Sequence, residues 1–163
     1  MKDVTISAAR SHADIADAGA LFLAYAQFLE DDFGIDLAFQ NFSEELAGLP
    51  GKYAPPDGEI LLARAVGGAC VGCIAYRRHD ADSCEMKRLY VVPDARGHAL
   101  GRQLIDALLT SAQANGYRRI ILDTGEFLDA AVSLYQSYGF VEIPPYNDSP
   151  VAGMRYFALD LQA

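Results

Sequence analysis

Apolar and polar positions recur along this chain with two different periods, and each period predicts a different kind of element. Between residues 14 and 30 the apolar side chains return every three or four positions, which predicts an amphipathic helix. The same spacing predicts helices over residues 42–49, 101–115 and 128–138. Short apolar runs bounded by glycine, proline or aspartate predict strands, here over residues 4–8, 60–65, 70–77, 89–92, 120–122, 141–143 and 154–161.

The order of these elements is strand, two helices, three strands, helix, strand, helix and two strands. Gly67-Gly68 separates two of the strands by a tight turn, which predicts an antiparallel hairpin. No repeat, linker or change of composition divides the chain. The sequence therefore predicts an α/β (α+β) fold, with a mixed central sheet flanked by helices, as a single domain over residues 1–163.

The net charge of the chain bears on which classes of molecule it can bind. The chain has 13 Lys and Arg residues against 22 Asp and Glu residues, a formal net charge of −9. That sign repels phosphate backbones and anionic lipid, so neither nucleic acid nor a membrane surface is expected as a partner. The N-terminal residues lack an apolar stretch of signal-peptide length, and no run approaches the length of a bilayer span. We therefore expect a cytoplasmic protein.

Three cysteines, an odd number, argue against a disulfide framework. Cys70 and Cys73 form a C-x-x-C pattern within a predicted strand. An odd separation on a regular strand points two side chains to opposite faces, so this pair is not expected to bind a metal or act as a redox dithiol. No metal site is expected.

The segment at residues 85–104 contains the pattern that most directly indicates a binding function. It is a strand stopped by Pro93, a short loop with arginine and glycine, and the first turn of an amphipathic helix. Amides at a helix start lack partners within the helix and favour a phosphate or pyrophosphate. Neither a P-loop nor a dinucleotide fingerprint matches the spacing of Gly97 and Gly101. The alternative is an ordinary glycine-containing turn with exposed arginines.

Two motifs favour the interpretation of this segment as a binding loop. One is Arg96-Gly97-x-Ala99-Leu100-Gly101, and the other is A-x-x-L-Y-x-x-x-G-F at residues 131–140. Together with the order of elements, they resemble the GNAT superfamily of acyl-CoA-dependent N-acyltransferases. Ala99 departs from the family pattern, which usually has glycine there, and Leu128 replaces an asparagine that many relatives carry.

The resemblance implies an acetyl-CoA site. The backbone of Leu89, Tyr90 and Val91 is expected to pair with the pantetheine arm as an added strand. Tyr135 is expected beside the thioester sulfur, as the acid that protonates the leaving thiolate; its helical stripe alone would make it a core aromatic. The loop backbone expected to hold the pyrophosphate comprises Arg96, Gly97, His98, Ala99, Leu100, Gly101 and Arg102.

Acetyl transfer also needs a neutral amine, so a base must remove a proton. Glu85 is the first candidate, and the alternative is a solvated glutamate paired with Lys87 or Arg77. Asp123 is the second candidate base, and bulk water the third. The acceptor side is expected in the first two helices and in the loop at residues 144–150. Their acidic and tyrosine side chains are expected in part to attract a cationic amine, and they are Asp31, Asp32, Asp36, Glu44, Glu45, Tyr146 and Asp148.

The predicted function is therefore an N-acetyltransferase that transfers an acetyl group from acetyl-CoA to a small-molecule or peptide amine by direct attack. Two alternatives remain open: a non-catalytic acyl-CoA sensor, and a structural or interaction domain that binds no CoA. A homodimer is also left open.

Overall fold

The computed structural model of the chain describes residues 3–97 and 99–161. It confirms the α/β class and the predicted order of elements. The seven strands are β1 Thr5–Ala8, β2 Glu59–Arg64, β3 Cys70–Arg78, β4 Ser83–Val91, β5 Arg119–Gly125, β6 Val141–Glu142 and β7 Met154–Asp160. The four α-helices are α1 His12–Phe33, α2 Phe42–Ala47, α3 Leu100–Ala114 and α4 Asp129–Ser137.

The strands form one sheet in the order β1-β2-β3-β4-β5-β7-β6. Neighbouring strands are antiparallel except for β4 and β5, which are parallel. The sheet separates two apolar cores. Helices α3 and α4 pack on one face through residues such as Leu104, Leu108 and Val132. Helix α1 packs on the other face through Leu21 and Phe22.

Helix α1 runs three residues further than its predicted end. Ser11 starts it with a capping box to Asp14, which satisfies free amides in the first turn. Gly34 ends it in the left-handed conformation, and its amide bonds the carbonyls of Leu29 and Glu30. The acidic pair Asp31-Asp32 therefore lies within the helix and does not terminate it.

Strand β4 is longer than the predicted apolar run because its first half carries charged residues that are nevertheless buried. Glu85, Lys87 and Arg88 are 4%, 8% and 5% exposed. The strand also contains a β-bulge. Cys73 of β3 faces Tyr90, whereas Ala75 faces Lys87, so β4 has one extra residue there. Arg88 lies in this bulge with a positive φ of 64°.

The prediction that Cys70 and Cys73 point to opposite faces is wrong. A second bulge, in β3, sets Cys70 opposite Arg64 and Gly72 opposite Ala63, which reverses the normal alternation. Cys73 is buried in the core beneath α1, and Cys70 packs against the same core. Both are free thiols.

Candidate active site

The parallel strands β4 and β5 separate to form a fork. Their pairing is limited to Ser83–Arg119, Cys84–Ile120 and Glu85–Ile121. Beyond that point β4 continues to Val91 and β5 to Gly125, with a cavity of about 580 Å³ between and above them. A cavity of this size suits a drug-sized ligand. Beyond Glu85 the edge of β4 that faces β5 has no strand partner among the described residues, so an extended chain could be added there, although the Val91 carbonyl already accepts a bond from Arg96.

Two tyrosines face the cavity from opposite sides of the sheet. Tyr135 comes from α4 and Tyr25 from α1, and both line the cavity wall. Tyr135 is 6% exposed, and its ring packs 5.8 Å from that of Phe140, measured between centroids. Burial raises the pKa of Tyr135, and the proximity of Tyr25 and Asp123 raises it further. The phenol of Tyr135 therefore keeps its proton at neutral pH.

A buried ionic cluster, composed of Glu85, Lys87 and Asp123, lies at the base of the fork. The Lys87 ammonium is 3.8 Å from Asp123 Oδ1 and 4.0 Å from Glu85 Oε2. Burial lowers the pKa of Lys87 despite the opposing effect of both carboxylates. Asp123 and Lys87 line the cavity, and the amide nitrogen of Asn147 donates to Asp123 Oδ2 at 2.8 Å.

Glu85 lies behind Lys87 and is held by other groups. Arg77 Nε donates to its Oε1 at 3.1 Å, and the hydroxyl of Tyr146 donates to its Oε2 at 2.6 Å. Burial by itself would raise the pKa of Glu85, but Lys87, Tyr146 and Arg77 together hold it below its ordinary value. The expected partners Lys87 and Arg77 are therefore both present, although the glutamate is buried and not solvated.

The loop between β4 and α3 leaves the helix start open. Among the residues that the structure describes, no side chain caps the first turn of α3. Ala99 precedes the helix with a φ of 57° in the left-handed region, a conformation that favours glycine. Leu100 is buried in the core, and Gly101 lines the cavity. His98 lies outside the described residues.

The two arginines of this loop bond to the protein itself. Arg96 Nε donates to the carbonyl of Val91 at 2.9 Å, and its guanidinium lies 5.1 Å from the ring centre of Phe28. Arg102 donates to Ser137 Oγ at 3.0 Å and lies over the ring of Tyr138. Both arginine side chains are exposed, so phosphate binding through them requires exchange of these contacts.

Tyr138, three residues after Tyr135, joins the two helices on the outer face. Its hydroxyl lies 2.6 Å from Asp106 Oδ1 and 2.9 Å from the carbonyl of Arg102, two acceptors that share its single proton. Burial raises the pKa of Tyr138 to about 12, and Asp106 contributes to this rise. Its contacts are those of a structural tyrosine.

Three of the six acidic residues expected to attract a cationic acceptor are engaged elsewhere. Glu45 forms a buried ion pair with Arg88, with the Arg88 Nε 3.0 Å from Glu45 Oε2. Asp36 caps the 3-10 turn Leu37–Gln40, and Asp31 accepts a bond from Gln27. None of these carboxylates is among the described residues of the cavity wall, where the acidic side chains are Asp123 and Asp129.

Comparison with known proteins agrees with this geometry. Residues 23–140 match the family model described as the acetyltransferase (GNAT) family. An uncharacterized N-acetyltransferase of Schizosaccharomyces pombe is 39% identical over 160 residues, which cover 98% of this chain and 96% of that protein. The chain belongs to the GNAT family. Its expected enzyme class, an acyltransferase, is confirmed with it.

Solved structures show that this GNAT chain shares its fold with distant members. A GNAT family acetyltransferase from Staphylococcus aureus superposes with a TM-score of 0.80 at 20% identity, covering 98% of this chain and 100% of that one. A GNAT family acetyltransferase from Elizabethkingia anophelis, solved with acetyl-CoA bound, superposes with a TM-score of 0.69 at 19% identity, covering 99% and 100%.

Over the described ranges, 3–97 and 99–161, no helix combines the length and apolarity needed to cross a bilayer. Over the same residues, no cluster of three or more His, Cys, Asp or Glu side chains could hold a metal ion.

Sequence reasoning missed Tyr25 and Arg88 of this GNAT site, and it named Lys87 only as a partner of Glu85. Tyr25 lies within the helix predicted over residues 14–30, and nothing in its spacing separates a cavity tyrosine from a core tyrosine. Lys87 had a usable signal, because a lysine two positions after Glu85 on a strand shares its face. No signal in the sequence could have identified Arg88, because its position depends on the bulge in β4.

Proposed function

We propose that this GNAT protein transfers the acetyl group of acetyl-CoA directly to a primary amine, with Tyr135 as the acid and Asp123 as the base. The observation that carries the proposal is the fork itself. Tyr135 and Asp123 both line the cavity between β4 and β5, and the uncapped start of α3 follows β4.

The residues present suit acetyl-CoA. Free amides at the start of α3 favour a pyrophosphate, and the diverging edge of β4 can pair with an extended amide-bearing arm. Leu89, Tyr90 and Val91 lie along that edge and line the cavity. When bound, acetyl-CoA supplies an acetyl group activated as a thioester.

Two protein side chains then each transfer one proton: one takes a proton from the acceptor amine, and the other gives a proton to the leaving sulfur. An ammonium acceptor must lose a proton before its nitrogen can form the new C–N bond, and the Asp123 carboxylate takes that proton directly or through a water. As the C–S bond breaks, the Tyr135 hydroxyl donates its proton to the sulfur. A backbone amide of β4 near the bulge can stabilise the negative charge on the carbonyl oxygen.

We place the base at Asp123, which lines the cavity, and give Glu85, which is not among the described residues of the cavity wall, a positioning role. Both Glu85 oxygens are bonded, by Arg77 and Tyr146, and its lowered pKa weakens it as a base. Its charge, 4.0 Å from the Lys87 ammonium, helps to orient that ammonium towards Asp123.

Ligand-dependent unfolding tests the first half of the proposal. Acetyl-CoA at a hundred times its dissociation constant should stabilise the fold by about 2.7 kcal/mol, whereas NAD and ATP should not. No response to acetyl-CoA would remove the proposal.

Thiol release over a panel of amines tests the second half, with two matched pairs of variants. Tyr135→Phe should lower kcat by about 10²–10⁴-fold with little change in acetyl-CoA affinity, and Tyr138→Phe should not. Asp123→Asn should lower kcat more than Glu85→Gln. Cofactor binding without turnover on any amine would instead support an acyl-CoA sensor.

A further inference from the structure

One end of the cavity is apolar and lies on the β7 side of the sheet. Phe127 follows β5, Met154 begins β7 opposite Gly125, and Phe39 lies in the 3-10 turn after α1. We call this end, with Phe33 and Val151, the outer chamber. In the sheet, β7 and β4 flank β5 on opposite sides, but Phe33 connects the chamber to the loop that follows β4, because its ring centroid is 5.7 Å from that of Phe28, on which Arg96 packs.

Aromatic rings form the walls of the outer chamber. Phe33 and Phe127 have ring centroids 4.7 Å apart with an interplanar angle of 34°. The Phe127 ring lies against Gly125, where no Cβ would fit. Phe33 and Phe39 are 37% and 38% exposed. Rings held in this way can stack on a further ring.

One polar group of the outer chamber lacks a partner. Gln40 closes the 3-10 turn and lines the cavity, and its Oε1 is buried without a hydrogen bond to any described residue. Buried side-chain acceptors are rarely left without a donor in folded proteins. A ligand with an N–H or O–H group at this end would supply that donor once the Gln40 amide turns towards the cavity, because Oε1 is shielded from solvent while the cavity is empty.

The charges of the cavity favour the same kind of ligand. Asp123, which suits an ammonium group although it already pairs with Lys87 at 3.8 Å, lies on β5 two residues before Gly125, against which the Phe127 ring packs. The acidic groups Asp36 and Glu45, close in sequence to the 3-10 turn, are used in a turn cap and in an ion pair. Of the two acidic side chains on the described cavity wall, Asp129 is the one close in sequence to Phe127, and it is exposed to solvent, which weakens its attraction for a second positive charge.

We propose that the acceptor is a primary amine carried on a ring-sized apolar body that has one hydrogen-bond donor. Its ammonium binds at Asp123, its body packs against Phe33 and Phe127, and its donor bonds Gln40. This inference rests on the proposed function, because it assumes that the fork is where transfer takes place.

The test measures thiol release with saturating acetyl-CoA and tyramine, phenethylamine, putrescine, L-lysine or L-aspartate as acceptor. We expect kcat/KM for tyramine to exceed that for the three non-aromatic amines by at least about tenfold. Phenethylamine, which lacks the donor, should fall between. A preference for putrescine, lysine or aspartate overturns this inference and leaves the transferase proposal standing. If none of these amines is acetylated, both this inference and the transferase proposal are wrong.

Two variants test whether the preference for tyramine arises in the outer chamber. Phe127→Ala and Gln40→Leu should each raise KM for tyramine by about tenfold with KM for acetyl-CoA unchanged. Leu23→Ala is the matched control, because Leu23 lies on the exposed side of α1 at 55% exposure. If Phe127→Ala raises KM for acetyl-CoA and not KM for tyramine, the outer chamber belongs to the co-substrate and the inference is wrong.

Discussion

Glu45→Ala should destabilise this protein far more than an ordinary substitution in a short surface helix. Glu45, in α2, accepts bonds of 3.0 Å from both Nε and Nη2 of Arg88, which lies in the β4 bulge. The Arg88 side chain is 3% exposed, and its guanidinium lies 5.2 Å from the ring centre of Phe42. Burial alone would lower the pKa of Arg88, but the bonds from Glu45 hold it above its ordinary value.

The magnitude follows from this burial. Removing one partner of a buried ion pair leaves an uncompensated charge and costs about 3–5 kcal/mol. Neither partner calls for a large solvent discount, since Glu45 is 12% exposed and Arg88 only 3%. In a domain of this size each kcal/mol corresponds to about 2–4 °C in Tm, so the Tm should fall by about 6–20 °C.

Urea and thermal denaturation measure the change, with Glu44→Ala as the matched control. Glu44 is the same residue type in the same turn of α2 but is exposed, so its removal should change stability by less than about 0.5 kcal/mol. The double variant Glu45→Leu/Arg88→Met should recover most of the loss, because it removes both charges. Equal effects of Glu45→Ala and Glu44→Ala would refute the reasoning.

Three further predictions concern the loop, the ionic cluster and the helix pair. Ala99→Gly should raise the Tm by about 2–4 °C, because an alanine in the left-handed region costs about 1 kcal/mol relative to glycine; a lower Tm would contradict this. The lowered pKa of Glu85 means that its stabilising effect is complete above the ordinary glutamate pKa of about 4.3 and is lost as the pH falls through the folded value. In Glu85→Gln the free energy of unfolding should therefore decline less steeply on acidification than in the wild type. Urea titrations at several pH values measure this decline, and the same pH dependence in both proteins would contradict the prediction. Tyr138→Phe should cost about 1 kcal/mol of unfolding free energy through the lost bonds to α3, with acetyl transfer unchanged.

Local pattern was sufficient for most of the fold. The apolar spacing in α3 and the glycine turn between β2 and β3 are properties of neighbouring residues, so each could be predicted from a short window. The loop at residues 93–102 was recognisable for the same reason. Tyr135 could be selected because its motif lies within ten residues.

The arrangement of the site depended on contacts between residues far apart in the chain. Arg88 meets Glu45 across 43 positions, which no periodicity connects. Lys87 lies beside Asp123 only because β4 and β5 are parallel neighbours that separate after Glu85 and Ile121.

Sequence by itself therefore determined which segments become helices and strands, and which motif resembles a cofactor loop, because steric and hydrophobic preferences act locally. Tertiary structure alone decided which carboxylate faces the cavity and which is held behind a lysine. It also decided which acidic residues are neutralised by buried arginine. The physical reason is that a bulge or a change in strand pairing reverses the face to which a side chain points, and only the packed sheet selects that register.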